Sequence, residues 1–177
     1  MVEILVNRAP FLTLWASVVA RSLGYDEEES LTLGKAVAGQ TAAAKGVRLG
    51  ILEERPEAER RAIADRRQDL GAETVLFMGR AIACLRTADG LRALADARPI
   101  DPASVKRYLV AKFKEELGPV HEKLTALAVV LPPEELNDRA MDLYMRMRPA
   151  VPSGEAGWGR LGRLDTDAID RLRIQGM

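Results

Sequence analysis

The chain is predicted to be mainly α: a compact multi-helix domain with a short β-hairpin near residues 73–86 and a C-terminal arm. Three observations lead there. Apolar residues recur at helical spacing along most of the chain. Capping and stop residues bracket those runs, among them Gly24, Asp26, Asp101-Pro102 and Pro132-Pro133. One stretch, ETVLFMGRAIACLRT, instead clusters β-branched and aromatic residues with period-two alternation.

The first helix is expected over residues 9–23. Asn7 is its candidate N-cap, and Pro10 falls in the first turn, where a missing N–H costs nothing. Phe11, Trp15 and Val18, with Leu12, Leu14 and Val19 beside them, form a broad apolar stripe. Gly24 ends it as a C′ residue. The second helix is expected over residues 26–45. Asp26 and Glu29 have capping-box spacing, and the acidic run suits the positive end of the helix dipole. Its body, GKAVAGQTAAAKG, is rich in small residues that let another helix approach closely, so this helix is expected to be central, with Gly46 closing it.

EERPEAERRAIADRRQDLG has few large apolar residues and many charges, which predicts a solvated helix over residues 57–70, placed to act as an arm. The next stretch, residues 73–86, reads as a helix or as two short strands joined at Gly79-Arg80; the hairpin is favoured. Thr87 or Asp89 is expected to start a short helix through Asp96. Asp101 and Pro102 open a helix carrying Val105, Leu109, Phe113 and Leu117, which Gly118-Pro119 should end or kink. A further helix carries Val120, Leu124 and Leu127, and Pro132-Pro133 breaks it. A helix over residues 133–148 buries Leu136, Ala140, Leu143 and Tyr144. Residues 1–148 thus form a helical domain. Residues 149–177 form a proline- and glycine-rich loop and a last short helix, capped by Asp165, that docks on the body with Trp158 as anchor.

Composition narrows the function. Formal net charge is +0, so nothing draws the whole molecule to a polyanion, and a nucleic-acid site needs a local basic patch. Cys84 is the only cysteine and His121 the only histidine, which removes internal disulfides and His/Cys zinc sites. No metal or other cofactor is expected. No stretch reaches the ~18 apolar residues of a membrane span, and no signal peptide is evident, so a cytoplasmic protein is expected. Residues 18–39 have the outline of a helix-turn-helix. The second helix, however, opens with Asp26, Glu27, Glu28 and Glu29, which duplex phosphates would repel, so packing is the expected role.

Two basic clusters stand out. Arg60, Arg61, Arg66 and Arg67 lie among acids that can pair with them, or form a patch for a partner or a nucleic acid. Arg146, Arg148, Arg160 and Arg163 surround Trp158, which has a glycine on each side. This second cluster reads as a tail plug, a subunit contact, or an anion pocket with an aromatic wall. Lys35 and Thr41, on the small-residue helix, are candidates to line a cavity. No phosphate-binding loop, dinucleotide fingerprint, G-x-S-x-G or H-E-x-x-H occurs.

Three stretches, NRAPFLTLW, IDPASVKRYL and the GWG-containing RPAVPSGEAGWGRLGRLD, resemble a family of mostly helical bacterial proteins without an established activity. The resemblance implies a shared helical design and transfers no site residue. The expectation is therefore a non-enzymatic cytoplasmic interaction or regulatory protein, a homodimer, with no membrane contact. The alternatives are a nucleic-acid-associated regulator using the Arg60–Arg67 patch, and an enzyme of unrecognised type with its site near Trp158.

Overall fold

The computed structural model describes residues 3–152, 154–155 and 159–175. The protein is mainly α with antiparallel β structure. A short strand, β1 (Ile4–Asn7), leads directly into α1 (Arg8–Ser22). This first helix is the most enclosed: Phe11, Trp15, Ala16 and Val19 are fully buried, and α2, α4, α5 and α6 all pack on it, while α2 in turn packs on α1, α4, β3 and β4. A helix apolar on nearly every face has to be enclosed on every side. Gly24, at φ 104°, adopts the left-handed conformation that stops it.

The second helix, α2 (Glu27–Arg48), is capped as its spacing predicts. The Asp26 carboxylate accepts from the Glu29 amide and the Glu29 carboxylate accepts from the Asp26 amide. Its small residues do two jobs. In the N-terminal half Gly34 lets α1 approach so closely that a Cβ there would lie 2.6 Å from the Thr13 carbonyl oxygen. In the C-terminal half the helix is half-exposed, and Ala42 and Ala44 border a cavity. Gly46 does not end the helix; it stays helical and buried, and α2 continues to Arg48. Helix α3 (Glu57–Asp69) is solvated as expected, with Ile63 its one buried residue.

Strands β2 (Glu73–Phe77), β3 (Arg80–Thr87), β4 (Gly90–Ala95) and β5 (Arg98–Pro99) form an antiparallel meander in chain order. The favoured hairpin over 73–86 is present. Its turn is Met78-Gly79, one residue earlier than expected, with φ of 51° and 77°, the mirror-image turn that suits the twist of paired strands. The short helix expected up to Asp96 is instead strand β4. Leu, Arg and Ala favour helix locally, but α2 supplies acceptors for an extended backbone. The Glu29 carboxylate accepts from the Leu91 amide at 2.9 Å, and the Thr32 hydroxyl from the Ala93 amide at 3.1 Å. Buried Arg92 pairs with Glu28 at 3.3 Å. The acidic start of α2 is thus occupied in holding the sheet.

Helix α4 (Pro102–Phe113) breaks before Gly118-Pro119. Lys114 turns left-handed at φ 53°, a single 3-10 turn follows, and α5 (Leu117–Ala128) begins with the proline in its first turn, where it is tolerated. After α6 (Pro133–Met147) the chain returns as β6 (Leu161–Leu164), antiparallel to β1, and ends in α7 (Thr166–Ile174). Neither β1 nor β6 is foreseen by periodicity; each is four residues long. Leu164, Ile169 and Leu172 are buried, whereas Leu161 is exposed. The proposed anchor, Trp158, lies outside the described residues.

Candidate functional site

A cavity of about 460 Å³ opens where the N-terminus of α1, the C-terminal half of α2, the start of β3, the C-terminal part of α4 and the end of α6 meet. That volume falls within the ~300–1,000 Å³ typical of small-molecule sites. The stripe Ala38, Thr41, Ala42, Lys45 and Arg48 follows i, i+3, i+4, i+7 spacing and gives the wall from α2. Leu12, Tyr108, Met141 and Tyr144 supply apolar wall. Arg8, Lys45, Arg48, Arg80, Lys112 and Arg148 supply positive charge, and no Asp or Glu is among the described lining residues.

Part of this charge has a local explanation. Lys45 and Arg48 lie in the last turn of α2, where cations complement the helix dipole. Arg8 does not fit that account. It opens α1 at the positive end of the dipole, in a first turn with no acid and no side-chain cap. Its Nε donates to the Pro149 carbonyl at 2.9 Å, which ties α1 to the end of α6. Burial, and then the proximity of Arg148, lower its pKa. Lys45 is lowered as well, by burial first and then by Arg8, Arg148 and Arg48. Lys45 therefore sits among three arginines, two of which, Arg8 and Arg148, also repel each other.

The aromatic wall is pinned. Tyr144 is buried beside Phe11, ring centroids 6.2 Å apart; burial raises its pKa, against the opposing influence of Arg148, which also hydrogen-bonds it, and of Arg8. Burial likewise raises Tyr108, whose ring lies 3.7 Å from the Lys35 ammonium and 5.9 Å from that of Lys112. Both phenols stay protonated at neutral pH. Two polar atoms of the lining, Thr41 Oγ1 and Arg80 Nε, are buried with no hydrogen-bond partner among the described residues. Burial lowers the Arg80 pKa. Orphaned buried donors are uncommon and call for an explanation.

The candidate residues separate in space. Arg148 lines the cavity, while Arg146 is exposed. Arg160 pairs with Glu155 at 2.6 Å and Arg163 with Glu3 at 2.9 Å. In the other cluster Arg60 pairs with Glu54 and Arg61 with Glu57, Arg67 donates to the Asp96 carbonyl, and Arg66 is exposed. Thr41 lines the cavity and Lys35 supports its Tyr108 wall. Arg8, Lys45, Arg48, Arg80 and Lys112 are absent from both sequence clusters. The α2 stripe, small residues ending in two cations, is the signal that could have revealed Lys45 and Arg48; Lys112, on α4, has none. Arg8 and Arg80 carry no such signal because they arrive from other elements.

A second cavity, of about 370 Å³, lies between α1, α2, α4 and α5. Its charges are mixed, and Lys106 pairs with Glu27 there at 3.6 Å. His121 borders it, whereas Cys84 is buried in β3 with its thiol toward the Ile82 carbonyl. Among the described residues no three His, Cys, Asp or Glu side chains are grouped as metal ligands, and no helix is long and apolar enough to cross a membrane. Comparisons with protein-family models, curated proteins and solved structures give no significant match.

Proposed function

We propose that the protein is a non-enzymatic regulatory or interaction protein that binds a small anionic ligand in the larger cavity. One observation carries this reading: six cationic side chains from five elements line a concave, largely apolar site without a carboxylate among its described lining residues. Cations held together at a site cost free energy that a bound anion returns. Binding is favoured over catalysis because the described lining also has no histidine or cysteine to serve as base or nucleophile. Nucleic acid is disfavoured because Arg60 and Arg61 are already paired with acids.

Thermal unfolding in sodium sulfate against sodium chloride at matched ionic strength tests the reading. Sulfate should raise Tm by several degrees, and Lys45→Met or Arg148→Met should abolish most of the difference. An equal sulfate effect in wild type and variants would reflect general salting and overturn it. The cytoplasmic homodimer belongs to the same proposal. Four exposed apolar residues close in sequence, Val47, Leu49, Ile51 and Leu52, support self-association, and sedimentation velocity checks it.

A further inference from the structure

Resting on that reading, we infer that the ligand is an organic phosphate: a phosphate monoester or diphosphate carried on an apolar or planar body. Arg8, Lys45, Arg48 and Arg148 come from three parts of the chain and line one cavity, where Lys45 is repelled by the three arginines and Arg8 by Arg148. A carboxylate brings one negative charge and two oxygens. A phosphate monoester brings close to two charges at neutral pH and three strongly accepting oxygens, which match a multi-cation site better. The uncapped N-terminus of α1 adds a positive dipole end at the same place.

The rest of the cavity argues against a bare inorganic ion. Leu12, Ala38, Met141, Met145 and the ring of Tyr144 offer apolar surface that phosphate alone cannot use. Arg80 adds a further positive charge to the lining from the start of β3. Its orphaned Nε, and the orphaned hydroxyl of Thr41, await polar atoms on the ligand body or a second phosphoryl group. The site therefore favours a ligand with a multiply charged anionic group, an apolar middle and a further hydrogen-bonding group.

Isothermal titration of the full chain with inorganic phosphate, 1-naphthyl phosphate and 1-naphthoate tests this. Naphthyl phosphate should bind at least about tenfold more tightly than inorganic phosphate, because the body is buried, and about tenfold more tightly than naphthoate, because the charge is doubled. Its affinity should rise as pH passes through about 6, where the second phosphate charge develops. Lys45→Met should weaken both phosphates. Met145→Gln, at a half-exposed position on the wall, should weaken naphthyl phosphate alone. Naphthoate binding as tightly as naphthyl phosphate, or inorganic phosphate binding as tightly, would overturn the ligand class while leaving an anion site. No binding by any of the three, with no sulfate effect on Tm, would overturn the anion site itself. Cosedimentation with phosphatidylcholine vesicles carrying phosphatidic acid separates a lipid head group from a soluble ester, both of which have the proposed chemistry.

Discussion

Trp15 is fully buried, and its indole N–H donates to the Ala140 carbonyl at 2.9 Å, joining α1 to α6. Trp15→Ala should cost roughly 3–5 kcal/mol in urea denaturation. Trp15→Phe keeps most of the volume and loses the hydrogen bond, so it should cost about 1–2 kcal/mol. A loss below ~1 kcal/mol for alanine would show that this burial contributes little. Glycines of α2 give a sharper contrast. At Gly34 a Cβ would meet backbone atoms of α1 at 2.6 and 2.9 Å, whereas Gly39 has open space around it. Gly34→Ala should therefore destabilise by ~1–3 kcal/mol despite alanine's better helix propensity. Gly39→Ala should stabilise by about 0.5–1 kcal/mol. Equal shifts of the two melting temperatures would remove the close-approach explanation. Cys84 is fully buried, and burial pushes its thiol pKa up to about 11. Native protein at pH 8 should resist thiol reagents that label it at once in denaturant. Above the ordinary thiol pKa near 9 the unfolded chain releases this proton and the native chain keeps it. Stability from this group is complete below pH 9 and declines as pH rises toward 11.

At the level of elements, tertiary contacts overrule local preference where the two conflict. The sequence LRALA is helix-prone, yet it forms β4 because β3 pairs with it and Glu29 and Thr32 bond its amides. Helix α7 illustrates the opposite case, in which helical spacing alone finds the buried face. Ile169 and Leu172 are buried, and Lys123 of α5 pairs with Asp170. Ile169→Ala should cost about 2–5 kcal/mol, as for a core position, while Leu161→Ala, exposed in β6, should stay within ~0.5 kcal/mol. Chemical denaturation of the two variants checks this; similar small effects would show that the terminal helix lends nothing to the core.

For the whole molecule, the cavity exists because α2 presents small side chains, Ala38, Thr41 and Ala42, to a space its neighbours do not fill, with Lys45 and Arg48 at its end. Lys45 has burial and three arginines acting on it, so Lys45→Met should raise the melting temperature in anion-free buffer by a few degrees while reducing the response to sulfate. A lower melting temperature would show that Lys45 stabilises the fold instead. The sign with pH agrees. Its folded pKa is depressed, so the unfolded chain binds more protons in the window between the two values, and stability rises with pH there. Anion affinity falls over the same window. The sequence by itself determined the helices with clear boundary signals and apolar stripes: α1, α2, α4 and α6 all lie close to where Gly24, Asp26, Asp101-Pro102 and Pro132-Pro133 put them. It determined the Met78-Gly79 hairpin to within one residue. Only the tertiary structure decided that α1 is the most enclosed helix, that LRALA is a strand, and that the basic residues of interest are Arg8, Lys45, Arg80 and Arg148. The physical reason is range. Caps and periodicity act over a few residues, whereas the cavity joins side chains 140 positions apart, as the Arg8–Pro149 hydrogen bond does across 141.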